Sequence, residues 1–173
     1  MEQYRYRIMV IALVAYIFFR ILKRLYARVK KERRYKQYLN SPLADVDRMQ
    51  GEEFEEYLAA HFRHLGYQVK LTPKSNDFGA DLIIKKDGIT IVVQAKRYQG
   101  KVGIKAIQEI IGAKGFYAAD QMMVVSNSFY TSGAEKLAKA NNVQLWNRNT
   151  INNLFLEGNK EGRGGKVKWS RKK

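Results

Sequence analysis

The chain has 173 residues, no cysteine and a formal net charge of +16. Disulfides, thiolate zinc sites and cysteine nucleophiles are excluded, and the basic excess points to nucleic acid or an anionic membrane surface. The excess is uneven: residues 1–48 carry +8 and residues 158–173 carry +6, whereas residues 49–157 carry only +2.

Ile8 to Phe19 is an unbroken apolar run of twelve residues, closed by Arg20 and resumed by Ile21-Leu22. As a helix, residues 8–22 would extend about 22 Å against a bilayer core of about 30 Å. Interfacial Tyr4, Tyr6 and Tyr26, with snorkelling Arg7 and Arg20, would make up the difference. The run is apolar all round, which argues against an interfacial helix; a single-pass membrane anchor is expected, with a buried or oligomerising helix and a signal peptide as the alternatives. Cations are denser after the run (Arg20, Lys23, Arg24, Arg28) than before it (Arg5, Arg7). That bias predicts a cell-membrane protein whose remaining chain faces the cytoplasm. Arg20 to Leu39 reads as a basic helix, touching anionic lipid or nucleic acid or acting as a solvated spacer, and it ends near Ser41-Pro42.

The next helix is expected from about Arg48 to Leu65, with Phe54, Tyr57, Leu58, Phe62 and Leu65 on one stripe. Of its four glutamates, Glu55 lies closest to that stripe; Glu53 comes next, and Glu52 and Glu56 point away. His61 and His64 lack a third nitrogen or sulfur ligand, so they read as packing residues and not as a zinc site. Gly66 ends the helix, and a strand is expected over Tyr67–Thr72. A polar loop, Pro73 to Gly79, leads to Asp81.

Leu82-Ile83-Ile84 and Ile89-Thr90-Ile91-Val92-Val93 flank Asp87-Gly88, a strong hairpin signal. Gln94 and Lys96 then share one strand face, and the hairpin brings Asp81 back beside them. A carboxylate, an amide oxygen and a lysine at a sheet end suit metal-assisted phosphodiester hydrolysis. The oxygens of Asp81, Gln94 and the Ala95 carbonyl are hard ligands of the kind magnesium takes, and Lys96 would orient water or stabilise developing charge. An ordinary Asp81–Lys96 salt bridge at a hairpin edge is the competing reading, and so short a pattern leaves it open. Asp77 is an alternative acid, but it suits a turn, whereas Asp81 borders a strand.

After a basic loop, Arg97 to Lys101, a helix is expected over about Ile104–Ala118. Its apolar side runs through Ile104, Ile107, Ile111 and Gly115, with Gln108 inside that stripe and Glu109 pointing outward. Gln121–Ser126 is a strand. Ser132 and Glu135 have capping-box spacing for a helix to Ala140. Val143–Trp146 is the last strand, and a short helix over Thr150–Leu156 closes the core. Strands alternating with helices predict an α/β sandwich with a mixed central sheet. The tail, 158–173, reads as a disordered basic arm.

Several blocks occur in an order that resembles a known family. They are Gly51-Glu52-Glu53-Phe54-Glu55, Gly66-Tyr67-Gln68-Val69, Asn76 to Ile83, Val93 to Tyr98, Val102-Gly103-Ile104 with Gln108-Glu109, Val124 to Asn127, and Leu145-Trp146. Together they resemble the Mrr-like branch of the PD-(D/E)xK nuclease superfamily, the catalytic domain of type IV restriction endonucleases. Archaeal-type Holliday junction resolvases are similar at greater distance.

The resemblance implies a restriction-endonuclease-like sandwich over residues 44–157. Residues 1–43 would precede it as hydrophobic anchor and basic linker. It implies DNA as partner, Mg2+ (or Mn2+) as cofactor, and a catalytic set of Glu55, Asp81, Gln94 and Lys96, with Asp81, Gln94 and Glu55 toward the metal. Such nucleases often act as dimers, although this chain shows no interface signature for a homodimer. Most of the superfamily carries an acid where Gln94 stands; an uncharged amide implies weaker metal affinity. The expected function is a membrane-tethered endonuclease that restricts modified or foreign DNA. A nuclease selective for branched DNA and a catalytically silent, membrane-associated DNA-binding module are the alternatives.

Overall fold

The computed structural model describes residues 1–73 and 78–157. Asp77 and the basic tail, both considered above, lie outside the described residues. The chain divides into two compact units, Met1–Gln37 and a unit that begins at Tyr38.

Helix α1 (Glu2–Asn40) is continuous over 39 residues. It corrects the expected membrane anchor: among the described residues, no helix is long and apolar enough to cross a membrane. Arg7 and Arg20 bracket the apolar run, so extending it toward the roughly 20 residues a span needs takes in several cations. The expected span at 8–22, the cell-membrane location and the cytoplasm-facing topology fall together. The apolar side chains of the run are exposed along α1.

Pro42 then opens a one-turn helix, α2 (Leu43–Val46), which buries Val46 and has no counterpart in the sequence reading. Helix α3 (Gly51–His64) starts three residues later than expected, because Gln50 and Glu53 form a reciprocal capping box there. Its stripe of Phe54, Tyr57, Leu58 and Phe62 is fully buried. Burial of each such side chain contributes about 1.5–3 kcal/mol. Leu65 is the C-cap, and Gly66 after it takes φ +85°, a left-handed turn that suits glycine.

Five strands follow: β1 (Gln68–Leu71), β2 (Leu82–Lys86), β3 (Ile89–Lys96), β4 (Gln121–Ser126) and β5 (Val143–Trp146). They form one sheet in the order β1-β2-β3-β4-β5. β1–β2 and β2–β3 pair antiparallel, whereas β3–β4 and β4–β5 pair parallel, so the sheet is mixed as expected. The parallel pairs need crossovers, supplied by α4 (Ile104–Phe116) and α5 (Ser132–Ala140). Thr131, not Ser132, caps α5 by accepting from the Ala134 N–H at 3.2 Å. The last helix starts earlier than expected: α6 (Arg148–Ile151) runs into a π-helical segment, Asn152–Glu157.

Alternation along the strands sorts the core into two faces. Val92, Met122 and Val124 point toward α4 and α5, where they pack with Ile107, Ile110, Ala113, Ala134 and Ala138. Trp146 points the other way, toward Phe62 of α3 at 5.4 Å between ring centroids. Phe155 completes that side: its ring stacks on His61 at 4.3 Å and meets Tyr57, Phe62 and Trp146 edge-on. The domain is therefore a sheet between an aromatic layer under α3 and an aliphatic layer under α4 and α5.

Candidate active site

The hairpin forms as its turn residues require. Asp87 and Gly88 both take positive φ, 51° and 77°, the conformation of the tight turns that match strand twist. Leu82 pairs with Val93, and the Asp81 N–H donates to the Val93 carbonyl at 2.9 Å. The ladder thus runs one residue past β2 and sets Asp81 opposite Gln94. Asp81 Oδ2 accepts from Gln94 Nε2 at 2.5 Å and from the Ala95 N–H at 2.7 Å. Gln94 is buried, with 4% exposure, so this contact is shielded from water.

Lys96 is the last residue of β3. Its Nζ lies 2.8 Å from Glu109 Oε2, so its ion pair is with α4 and the hairpin-edge salt bridge to Asp81 is not what forms. That oxygen sits off the hydrogen-bonding axis of Lys96 and has no other donor among the described residues. By strand alternation, Asp81, Gln94 and Lys96 share the face that carries Ile83 and Val92, which is the α4 face.

Glu109, expected on the outer surface, is therefore beside the site. Gln108, expected in the buried stripe, is exposed instead. Both corrections have one cause. The buried side of α4 is Ala106, Ile107, Ile110 and Ala113, and Ile104 at its start is exposed. Giving the alanines weight beside the isoleucines turns the stripe and brings position 109 to its border.

The ends of β3 and β4 are tied together. Ser126 Oγ donates to the Lys96 carbonyl at 2.7 Å, and the Tyr98 N–H donates to Asn127 Oδ1 at 2.8 Å. Asn127 Nδ2 and Arg148 both donate to Asp47 Oδ1, at 2.9 and 2.6 Å. The Arg148 guanidinium hydrogen-bonded to Asp47 holds its carboxyl below the usual range, against a smaller opposing effect of burial. The candidate site thus lies at the carboxyl ends of the parallel strands, where open α/β sheets bind ligands.

The loop into Asp81 is fixed by a close approach. Gly79 takes φ +87°, and a Cβ added there would lie 2.4 Å from the Glu109 carbonyl oxygen. Beside it, Phe78 stacks on Phe116 at 3.8 Å.

Glu55 is half-buried on α3. It belongs to the α3 layer, which packs on the sheet face that carries Trp146. Its neighbours depart from the sequence reading: Glu53 is exposed in the capping box, and Glu56 is half-buried and accepts from Tyr38 Oη at 3.1 Å.

A divalent cation suits part of this arrangement. Gln94 Oε1 is buried and has no hydrogen-bond donor among the described residues. Such an orphaned acceptor costs about 1–3 kcal/mol, which an ion or its water would relieve. Asp81 and Gln94 offer hard oxygens of the kind magnesium takes. No three His, Cys, Asp or Glu among the described residues gather into a metal cluster. The fit therefore rests on one carboxylate with an amide oxygen and a backbone carbonyl.

The fold is an α/β domain, a mixed five-stranded sheet flanked by helices. A family model for the Mrr_cat restriction endonuclease domain matches residues 46–155, and the chain belongs to that family. No curated protein matches it significantly. Among solved structures it is similar to the protein of unknown function AF1548, at 14% identity and TM-score 0.48, over 54% of this chain and 56% of that one. It is similar to the DNA modification-dependent restriction endonuclease AspBHI, at 21% identity and TM-score 0.48, over 63% of this chain and 33% of that one. It is also similar to the MspJI restriction endonuclease in complex with a 27-mer oligonucleotide, at 17% identity and TM-score 0.42, over 71% and 29%. The match spans about half the length of the first of these proteins and about a third of the other two.

Proposed function

We propose that the domain is a divalent-metal-dependent endodeoxyribonuclease of the Mrr type, acting on modified or foreign DNA. The supporting observation is the direct contact of Asp81 with Gln94, on the same sheet face as Lys96 and at the strand ends. Asp81, Gln94 Oε1 and the Ala95 carbonyl would hold Mg2+ or Mn2+. When bound, the cation neutralises phosphate charge and lowers the pKa of a coordinated water. Lys96 keeps an ammonium at that face, where it would orient the attacking water or meet charge developing on phosphate. Glu55 would assist with water from the α3 layer. Gln94 brings no charge, so a weak metal affinity is expected. The nearly neutral core leaves much of the phosphate affinity to the basic segments 1–48 and 158–173.

Plasmid cleavage with Mg2+ or Mn2+ tests this reading, with Asp81→Ala and Lys96→Ala as controls. Both variants should lose cleavage. Cleavage that persists in both would overturn the site. DNA binding without cleavage by the wild-type protein would favour a silent DNA-binding module. Methylated, unmethylated and branched substrates then separate restriction from junction resolution.

A further inference from the structure

The geometry points to Glu109 as the positioning residue of Lys96. We infer that its carboxylate holds the lysine ammonium at the Asp81–Gln94 face and thereby sets the cleavage rate, an inference that rests on the nuclease reading above.

Two observations converge on Glu109, and a third fixes the strand end at Lys96. The Glu109 side chain lies 2.8 Å from Lys96 Nζ, with both side chains about one-third exposed. The Glu109 backbone carbonyl abuts Gly79, two residues before Asp81, so closely that no Cβ fits between them. The Lys96 carbonyl is held by Ser126 Oγ at 2.7 Å. One residue of α4 therefore touches both the loop into Asp81, through its backbone, and the end of β3, through its side chain. The helix turn that carries it is fixed by buried Ile107 and Ile110.

A lysine needs such a device. Its side chain turns about four bonds and carries a compact point charge with no directional fork of its own. With its carbonyl pinned and its amine free, Lys96 would distribute that charge over many rotamers. An ion pair from a rigid helix selects the rotamers that keep the amine on the α4 face. Gln94 makes the point sharper. The contact set of Asp81 with Gln94 holds one negative charge, and Glu109 is the carboxylate that balances Lys96 without drawing it onto Asp81. Misplacing a catalytic group by about 1 Å can cost on the order of 100-fold in rate.

The test compares the full chain with Glu109→Gln, Glu109→Asp and Lys96→Ala. The readouts are single-turnover cleavage at saturating DNA, DNA affinity in Ca2+, thermal midpoint, and acylation of Lys96 by an amine reagent read by peptide mass spectrometry. Glu109→Gln is nearly isosteric. It should slow cleavage roughly 10- to 100-fold with DNA affinity within about twofold and an unchanged midpoint. Lys96 acylation should rise several-fold, and Glu109→Asp should restore part of the rate, because the long lysine can follow a shorter carboxylate. A wild-type rate in Glu109→Gln, unchanged Lys96 acylation, or a rate loss that merely tracks a lower midpoint would each overturn the positioning role. A wild-type protein that binds but never cuts DNA would instead overturn the nuclease reading and, with it, any catalytic role for Glu109. The acylation result tells these failures apart.

Discussion

Gln94 turns its amide N–H toward the Asp81 carboxylate and leaves its own oxygen buried, without a donor among the described residues. Without metal, a neutral amide is the better neighbour for Asp81, since a second carboxylate opposite it would repel. Gln94→Glu should therefore lower the thermal midpoint in chelator by several degrees. In Mg2+ or Mn2+ the loss should be recovered, with metal affinity above that of the wild type. Midpoints with and without metal, beside a metal titration by calorimetry, measure both effects. A variant with no metal-dependent recovery would argue against a cation between these residues.

Gly79→Ala should destabilise the domain by about 3 kcal/mol or more, because it combines a left-handed backbone with overpacking against α4. The added Cβ would meet backbone, at 2.4 Å from the Glu109 carbonyl, and not the end of a flexible side chain. Urea denaturation reads the loss directly. Gly112→Ala, inside α4 with nothing within 4 Å, is the control and should leave stability unchanged or raise it by up to about 1 kcal/mol.

Acid should unfold the domain partly through His61. Its ring is buried, with burial lowering its pKa from 6.5 to about 4 and the Tyr38 carbonyl opposing that shift. Since a carbonyl only accepts, Nε2 carries the proton in the 3.2 Å contact with Tyr38. The unfolded chain binds the extra proton first, so stability is complete above pH 6.5 and declines as pH falls toward 4. The decline attributable to this residue is up to about 3 kcal/mol. Urea midpoints at pH 7, 5.5 and 4.5 should show it, and His61→Phe should flatten the dependence.

If DNA is bound through phosphates, its affinity should fall steeply with salt. Deleting residues 158–173 removes seven lysines and arginines and one acid. Each lost phosphate contact lowers the slope of log K against log salt by about 0.9. A reduction of about 2 or more is expected, with relative affinity among sequences unchanged. An unaltered slope would place the phosphate contacts elsewhere in the chain.

The hairpin and the placing of Asp81, Gln94 and Lys96 on one face were legible because each depended on local rules. Asp-Gly fixed the turn, and alternation put Gln94 and Lys96 on one face. The boundaries of β4, α5 and β5 followed from equally local signals. Glu109 was not legible, since the small buried alanines of α4 carry little weight in a stripe read from isoleucines. Its ion pair with Lys96 depends on how the helix rotates against the sheet, which is a tertiary matter. The same holds for Glu56, whose partner Tyr38 arrives from the end of α1. The apolar run in α1 misled for a different reason: a dozen apolar residues satisfy the eye before they satisfy the thickness of a bilayer.

Asp81, Gln94, Lys96 and Glu109 lie in one unbroken stretch of chain, spanned by the β2–β3 hairpin and the first turns of α4. Closing loops of this length costs little entropy, and hairpins form in about 1–10 μs. The acid and the lysine can therefore become neighbours while β4 and β5 are still seeking their parallel register. Weakening the distant aromatic layer around Phe155 and Trp146 should then hasten unfolding of the whole domain, with the grouping of these four side chains among the last features to disperse.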